Sequence, residues 1–370
     1  MASESTQQRG PVIGLLLHDF QLGGAERVAI RLANAWVQLG CRVVLFAGGA
    51  GGLQRQLLSD AVEVVVADPP LVRGLRASPA RLAKWVAARA AGMDAFYLPG
   101  NSYFTAVGPL SVAGVRIYAT ITNSLWRIDR SLARNVVFAL ATRRRLRKAA
   151  GVMSMSPALL RQERRVLGNR IAMEAMPNAL FERMPGWGRA RRQRGRICAV
   201  GRLVPQKNFA LLLHSFALLR DLPLTLDIAG DGPLRAELQQ LAITLGVAER
   251  VRFLGAVANA SGCMAEAEVV VLTSDYEGYP AVAVEALAAG AFVVSSNCSV
   301  GMKDILGGDL GVIVNKQQPA AFAAVLRQCF AREARNDAVK RQAMVRPLLE
   351  SHVALEAARR HLQFMGLAPR

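Results

Sequence analysis

Two glutamates stand eight residues apart in the stretch DYEGYPAVAVEALAAG (275–290), in a setting that could bind a polar ligand. Glu277 precedes a Gly-Tyr-Pro turn, and Glu285 lies within the predicted helix that follows. The neighbours of Glu285 are alanine, valine and leucine, and a carboxylate among them is costly to bury without a hydrogen-bonding partner. A ribose or a hexose would supply hydroxyl partners. The alternatives are that Glu277 is a helix-start charge and that Glu285 lies on a solvated face.

A second group that could do chemistry is the loop GRLVPQKN (201–208), which follows a predicted strand. Arg202 offers a planar fork of donors, Lys207 offers a mobile point charge, and a helix is predicted to begin near Asn208. At the end of a parallel strand, facing a helix N-terminus, such a loop favours a diphosphate. Two loop cations alone are also compatible with a solvated loop.

Short apolar runs alternate with segments of helical spacing, and this alternation occurs in two separate series along the chain. The strands and helices that it predicts must position both the glutamates and the cationic loop. The first series runs from VIGLLL (12–17) through the loop HDFQLGGA to RIYATIT (116–122), and the second starts at RICAVGRL (196–203). A strand, a glycine loop, a helix and a strand in succession are typical of doubly wound parallel sheets. The sequence therefore predicts an α/β protein with two such sheets.

The break between the two series sets the predicted domain boundaries. We predict an N-terminal domain over residues 1–180, a C-terminal domain over 190–345, and C-terminal helices over 346–370. The break lies over residues 176–196 and is predicted to be a solvated linker; five arginines fall within 189–196.

The composition excludes a disordered chain and indicates an anionic partner. Hydrophobic residues make up 52% of the 370 residues, and the net charge is +19 with a pI near 10.9. Such a charge suits nucleic acid, an anionic membrane surface or a phosphorylated substrate. No apolar run reaches the ~20 residues that span a bilayer, and the N-terminus lacks the apolar part of a signal peptide, so we expect a cytoplasmic location. The cysteines show no CxxC or metal spacing and are expected to be free buried thiols: Cys41, Cys198, Cys263, Cys298 and Cys329.

Four motifs resemble those of glycosyltransferase family 4, retaining enzymes of the GT-B fold. They are VGRLVPQKNFALLLHSFA, IAGDGPLRAEL, VRFLGAV and SDYEGYPAVAVEALAAGAFVVSS with GMKDIL, and GGAERVAIRLANAWVQLGCRVVLF is similar to the family's N-terminal segment. The motifs stand in the expected order and the resemblance spans nearly the whole chain. It implies two Rossmann-like, doubly wound domains facing a central cleft, with the helices over 346–366 crossing back to the N-terminal domain.

The resemblance also implies roles for individual residues. Glu277 would reach hydroxyls of the donor sugar, Glu285 would hold the nucleotide ribose, and Arg202 and Lys207 would neutralise the diphosphate. The backbone around Gly278, Tyr279 and Pro280 would lie along the sugar and diphosphate. Gly23 and Gly24 would let backbone amides approach the diphosphate; without the resemblance, these two glycines could be only a tight turn. Lys207 is expected to be exposed, so that Lys207→Ala impairs donor use with little loss of stability.

The implied reaction is transfer of a hexose from a nucleoside-diphosphate sugar to an acceptor hydroxyl with retained configuration, which makes the chain a hexosyltransferase. Glu277, Arg202 and Lys207 would be its catalytic residues. No metal and no cofactor is expected, since positive side chains and helix N-termini take the place of a divalent ion and no DxD triplet occurs. UDP is favoured over GDP as the nucleotide.

One position departs from the family pattern. Similar enzymes often carry a histidine after the strand that corresponds to RIYATIT, and here Thr122 and Asn123 stand there. Asn123 could hydrogen-bond a sugar, and His18, after the first strand, could line the cleft. The alternative for His18 is an ordinary strand-end residue.

A basic amphipathic segment over 127–151 indicates a membrane surface, and Trp126 and Phe138 could insert there. This suits an acceptor glycan linked to a polyprenyl diphosphate or another lipid, as in bacterial polysaccharide or lipopolysaccharide assembly. The chain would then lie peripherally at the inner face of the bacterial inner membrane. The alternative reading of the segment is a core helix with a solvated basic face.

Two other functions compete with the transferase. A nucleic-acid-binding protein would explain the charge, but the basic blocks 142–148 and 189–196 contain no interleaved aromatic residue, and we expect no specific nucleic acid. A transferase-like fold that only binds sugar nucleotides is the other alternative. The presence of Glu277, Glu285, Arg202 and Lys207 argues against it.

Overall fold

The computed structural model describes residues 10–21, 23–71, 78–126, 130–186, 192–257, 260–331 and 338–367. The chain divides into two compact units, which are Met1–Arg183 with His352–Arg370, and Met184–Ser351. The predicted division places residues 346–370 in separate C-terminal helices that cross back to the N-terminal domain. In the structure, the segment that joins the first unit starts at His352, and the residues just before it end a helix of the second unit.

The first unit is built on a parallel sheet. Its strands are β1 (Val12–Leu17), β2 (Arg42–Ala47), β3 (Glu63–Val66), β4 (Ala95–Leu98), β5 (Ile117–Ile121), β6 (Gly151–Ser154) and β7 (Met173–Ala175). Its first helices are α1 (Gly24–Gln38), α2 (Ser78–Ala87), α3 (Val107–Val112), α4 (Leu132–Leu146) and α5 (Pro157–Leu167). The strand order is β3-β2-β1-β4-β5-β6-β7, and every described pairing is parallel. The strands are almost uniformly apolar because helices cover both faces of such a sheet.

The second unit repeats this architecture. Its strands are β8 (Gln193–Val200), β9 (Thr225–Ala229), β10 (Val251–Gly255), β11 (Ala267–Leu272), β12 (Phe292–Ser296) and β13 (Gly311–Val314). Its helices are α6 (Phe209–Ala217), α7 (Arg235–Thr244), α8 (Ser261–Glu266), α9 (Ala281–Ala288), α10 (Met302–Ile305), α11 (Pro319–Ala331) and α12 (Ala338–Ser351); α13 (Ala354–Met365) belongs to the first unit. The parallel strands are ordered β10-β9-β8-β11-β12-β13. The order reverses between β8 and β11, and ligands bind at the carboxyl ends of such strands.

The predicted α/β class with two doubly wound sheets is confirmed. The predicted solvated linker is wrong at its C-terminal end, because β8 begins at Gln193. Arg196 is 8% exposed, and its Nε lies 2.7 Å from a carboxylate oxygen of the fully buried Asp227. A buried carboxylate needs such a cationic partner. Residues 187–191, which include part of the predicted linker, lie outside the described residues.

In the part of the chain that the structure describes, no helix combines the length and the apolar character that crossing a bilayer requires.

Candidate active site

Loops that follow the two central strands of the second sheet bring Lys207 and Glu277 together. Lys207 ends a short 3-10 turn after β8, and Glu277 follows β11. The Nζ atom of Lys207 lies 2.5 Å from Oε1 of Glu277, and the two side chains are 22% and 11% exposed. The prediction that Lys207 is exposed is therefore wrong. A carboxylate this deeply placed requires a cation beside it, and Lys207 is held there.

Glu277 has a second side-chain donor on the same oxygen. The hydroxyl of Ser274 donates to Oε1 over 2.7 Å, while the Glu277 amide donates to the Cys298 carbonyl over 2.8 Å. Oε2 makes no hydrogen bond to any described residue. The carboxylate is thus fixed at one oxygen and can accept hydrogen bonds from a ligand at the other.

The Glu277 loop is fastened to the loop that carries Lys207. Gln206 donates from Nε2 to the Tyr276 carbonyl over 2.8 Å and accepts from the Asp275 amide over 2.9 Å. Asn208 donates from Nδ2 to Oδ1 of Asp275 over 2.7 Å. Asn208 also caps α6, as predicted for a helix that begins near it. These contacts fix the distance between the cation and the carboxylate.

Serines fasten the other side of the same loop. Ser296 donates to the Ser274 carbonyl and Ser299 to the Gly278 carbonyl, each over 2.6 Å. These serines, together with Gln206 and Ser274, were not predicted from the sequence. Asn208 gave a capping signal, but serines scattered through loops carry no periodicity that could have revealed the others.

Glu285 lies in the second turn of α9, half-buried, on the helix that the Gly-Tyr-Pro turn precedes. The three turn residues Gly278, Tyr279 and Pro280 are buried. Burial, with the nearby charge of Asp304 as a smaller cause, raises the pKa of Tyr279 above its ordinary value. Tyr279 is therefore a neutral phenol at physiological pH.

Arg202 is exposed on the loop after β8, and the motif IAGDGP holds that loop. Leu203 donates its amide to the Asp231 carbonyl over 2.9 Å, and Gly201 donates to the Ala229 carbonyl over 3.0 Å. Gly230 has φ of +147°, and a side chain there would collide with the Gly201 backbone. Glycine is therefore required for this close approach of two loops.

The predicted residues of the first unit lie at the carboxyl edge of its own sheet. His18 follows β1; its ring stacks on Tyr103 at 4.9 Å, and its amide donates to the Tyr103 hydroxyl over 3.3 Å. Gly23 caps α1 and Gly24 is the first residue of that helix. A side chain at Gly24 would meet no described atom within 4 Å, so the protein itself does not require glycine there.

Thr122 and Asn123 follow β5, and one side chain organises both. Oδ1 of Asn101 accepts from the Thr122 amide over 2.8 Å and from the Asn123 amide over 3.2 Å. Nδ2 of Asn101 donates to the Asn123 carbonyl over 3.0 Å. Asn101 was not predicted from the sequence because it follows a different strand, β4. The Asn123 side chain is exposed.

Among the residues that the structure describes, no group of three or more histidine, cysteine, aspartate or glutamate side chains could hold a metal ion.

Two family models match the chain, one in each unit. Residues 22–179 match the model described as Glycosyltransferase Family 4, and residues 194–332 match the model described as Glycosyl transferases group 1. Similar curated proteins carry related names. The amylovoran biosynthesis glycosyltransferase AmsD of Erwinia amylovora is 32% identical over 142 residues, which is 38% of this chain and 40% of that protein.

A second relative comes from Campylobacter jejuni, the N-acetylgalactosamine-N,N'-diacetylbacillosaminyl-diphospho-undecaprenol 4-alpha-N-acetylgalactosaminyltransferase. It is 32% identical over 151 residues, 40% of this chain and 41% of that protein. The matches thus span about two fifths of the length of these relatives. Among solved structures, Anabaena HepE in complex with UDP and glucose is similar over 96% of this chain and 97% of that one, with a TM-score of 0.71 and 19% identity. The predicted resemblance to family 4 and the predicted GT-B fold are confirmed.

Proposed function

We propose that this chain, a family-4-like glycosyltransferase, transfers a hexose from a nucleoside-diphosphate sugar to an acceptor hydroxyl. The observation that carries the proposal is the Lys207–Glu277 pair at the reversal point of the second sheet, with one glutamate oxygen open to a ligand. A cation beside an open carboxylate suits a ligand that has a phosphate next to a sugar.

The donor would use groups that already lie along one edge of the second sheet. Arg202 and Lys207 would contact the diphosphate, Glu277 would accept sugar hydroxyls at Oε2, and Glu285 would accept ribose hydroxyls. The backbone of Gly278, Tyr279 and Pro280 would line the path between them. On donor binding, Lys207 would lie between a carboxylate and a phosphate and balance charge on both.

Gly23 and Gly24 would act from the first unit. Gly24 is exposed and the protein gives no steric reason for a glycine there, which supports a ligand that comes close to the backbone. The first-turn amides of an α-helix have no acceptor within the helix, and the amide of Gly24 at the start of α1 would donate to the diphosphate. His18, Thr122 and Asn123 would contact the sugar or the acceptor.

The reaction would proceed with retention and without a metal ion. The two cations would stabilise the negative charge that develops on the leaving diphosphate, which is the role of a divalent ion in other transferases. The leaving phosphate would accept the proton of the acceptor hydroxyl. UDP is the favoured nucleotide, which is supported by the UDP bound to the similar HepE fold.

The acceptor would be a glycan linked to a lipid diphosphate, presented at an anionic membrane surface in polysaccharide or lipopolysaccharide assembly. The name of the Campylobacter relative contains such an acceptor, a diphospho-undecaprenol. Helix α4 supplies a fitting surface: Leu132, Val137 and Leu140 are 70%, 67% and 59% exposed, and Arg143, Arg144 and Arg145 follow them. Trp126 is 41% exposed, but Phe138 is half-buried beneath the Arg130 guanidinium and would not insert.

The first test is thermal stabilisation by UDP, GDP, ADP and their sugars, with and without EDTA. We expect a UDP-selective rise in the thermal midpoint that EDTA does not change, and release of UDP when a lipid-linked glycan is added. Nuclear magnetic resonance of the product would report the anomeric configuration. Nucleotide binding without turnover on any acceptor would favour the binding-only alternative, and no stabilisation of a folded sample would contradict the donor site.

A further inference from the structure

Two cysteines that are 65 positions apart in the chain meet on one face of the second sheet. The Sγ atoms of Cys198 on β8 and Cys263 on α8 are 3.5 Å apart. Cys198 is fully buried, whereas Cys263 is half-buried and therefore partly exposed. This pair could not be predicted from the sequence because neither cysteine has another nearby in the chain.

The hydrogen bonds around the pair run in one direction. Cys198 donates to the sulfur of Cys263, and Cys263 donates to the Ala260 carbonyl over 3.0 Å. The bond from Cys198 lowers the pKa of Cys263, since it stabilises the Cys263 thiolate. The same bond, burial and the charge of Asp227 raise the pKa of Cys198. Cys263 is thus the thiol that ionises first.

The surroundings hold Cys198 still. It is paired in register with Asp227 on β9, and that carboxylate accepts hydrogen bonds from Arg196 and Arg252 at 2.7 Å each. Cys263 sits on a helix of six residues at the surface. A disulfide has an S–S length of about 2.05 Å, so a shift of about 1.5 Å of the short helix toward the strand would suffice.

We propose that Cys198 and Cys263 form a peroxide-responsive dithiol, in which Cys263 is oxidised first and Cys198 converts it to an intramolecular disulfide. The Cys263 thiolate attacks one oxygen of hydrogen peroxide, the O–O bond breaks, and the released hydroxide takes a proton to give water. The Cys198 sulfur then attacks the sulfenic sulfur of Cys263. The S–O bond breaks, an S–S bond forms, and the hydroxyl leaves with the Cys198 proton as a second water.

The other cysteines provide controls within the same chain. Burial raises the pKa of Cys41 and of Cys298 to about 11, so both stay protonated near neutral pH. Cys329 is buried on α11. Since the thiolate is the nucleophile, these three thiols should react with peroxide more slowly than Cys263.

The test treats the reduced full-length protein with a small excess of hydrogen peroxide, blocks the remaining thiols with an alkylating agent under denaturing conditions, and maps the peptides without reduction. We expect a peptide in which Cys198 and Cys263 are joined, with alkylated Cys41, Cys298 and Cys329, and full reversal by dithiothreitol. Persistent alkylation of Cys198 and Cys263, or disulfides that join two chains instead, would overturn the proposal.

Two variants separate the steps. In Cys198→Ser, Cys263 should be trapped as a sulfenic acid by dimedone, whereas Cys263→Ser should leave Cys198 unmodified. Cys329→Ser is the matched control and should form the disulfide as the wild type does. A sulfenic acid on Cys198 in the Cys263→Ser variant would contradict the assigned order, and the peptide map of the wild type decides the pairing even where a variant folds poorly.

Discussion

The carboxylate of Glu277 is bound at one oxygen by two donors, and this asymmetry decides what a ligand can reach. Lys207 and Ser274 both contact Oε1. A donor sugar would therefore find Oε2 already oriented and would not have to displace a protein group from it. The energetic contribution of this arrangement is pre-organisation, because the carboxylate loses its rotational freedom before the ligand arrives.

Ser274 is a positioning residue for Glu277, and Ser274→Ala tests that role. A hydrogen bond to a charged group contributes about 1.5–3 kcal/mol, so we expect kcat/KM for the donor to fall roughly 10- to 100-fold. Ser274→Thr keeps the hydroxyl and should therefore retain most of the wild-type kcat/KM. Ser215→Ala, which removes a buried hydroxyl bonded to the Leu211 carbonyl, is the control for general destabilisation. An equal fall in kcat/KM for Ser274→Ala and Ser274→Thr would refute the positioning role.

Lys207→Ala should affect both donor use and stability, which corrects the expectation from the sequence. Removal of the cation leaves Glu277, which is 11% exposed, without its ionic partner. We expect the thermal midpoint to fall and donor turnover to drop by about 100-fold or more. Lys207→Ala combined with Glu277→Gln should regain thermal stability but not activity. A double variant no more stable than Lys207→Ala would show that the ion pair does not govern folding.

Glu163 on α5 offers a pH-dependent test in the first unit. Its side chain is 2% exposed, Oε2 has no hydrogen-bond partner among the described residues, and burial raises its pKa from 4.5 to about 8, against a smaller opposing hydrogen bond from Ser154. Between these two values the unfolded chain releases a proton that the folded chain keeps. The contribution of Glu163 to stability is therefore complete below pH 4.5 and falls as the pH rises toward about 8.

Glu163→Gln should remove that dependence. The variant should match the wild type in acid and exceed it above pH 8, by about 1.4 kcal/mol for each unit by which the pKa is raised. Thermal midpoints measured across this pH range would show it. Glu174→Gln, at an exposed position on β7, should leave the wild-type pH profile unchanged. If the thermal midpoints of Glu163→Gln and the wild type changed with pH in parallel, the Glu163 carboxyl would be ionised in the folded state.

At the scale of elements, strands with consecutive apolar residues were predictable, whereas β6 and β7 were not. VIGLLL and EVVVL carry enough consecutive branched residues to indicate buried strands, whereas β6 and β7 have only four and three residues. The first three residues of β8, 193–195, were missed because Gln193 and Arg194 are polar and Gly195 has no side chain, and only the tertiary position of Asp227 explains why Arg196 is buried. The family motifs contain Lys207 and Glu277, which pair in the structure, but the loop contacts that orient them depend on which strands become neighbours.

Helix α4 carries the prediction of membrane binding. Val137→Glu with Leu140→Glu would place charge on its exposed apolar side, and Arg143, Arg144 and Arg145 changed to glutamine would remove three cations. Each cation near an anionic surface contributes about 1 kcal/mol, so the triple variant should bind anionic vesicles roughly 100-fold more weakly. Vesicle co-sedimentation at low and high salt would measure this.

The matched control for α4 is Ile243→Glu on α7, which changes an isoleucine that is 60% exposed in the second unit. It should bind vesicles as the wild type does. Wild-type binding that is absent at low salt, or that is equal for the control and both α4 variants, would exclude α4 as the membrane surface.

At the scale of the whole molecule, the chain contributes its last helix to the unit in which it began. The His352 carbonyl accepts from the amides of Leu180 and Phe181 over 2.9 and 3.1 Å. His361 on α13 is 2% exposed and lies edge-on to Trp36 and Tyr97, with ring centroids at 6.2 and 5.8 Å. The first hydrophobic core is therefore incomplete until α13 has been made.

This division predicts different behaviour for the two units when each is expressed alone. Residues 184–351 contain all six strands of the second sheet and the proposed donor residues Arg202, Lys207, Glu277 and Glu285. This segment should therefore fold alone and still be stabilised by UDP. Residues 1–183 lack α13 and expose the apolar surface around Trp36, so they should aggregate or remain partly unfolded. Circular dichroism and thermal denaturation of each segment would test this, and a synthetic peptide of residues 352–367 should restore a cooperative transition to 1–183. A cooperative transition of 1–183 without the peptide would show that α13 only covers a core that is already complete.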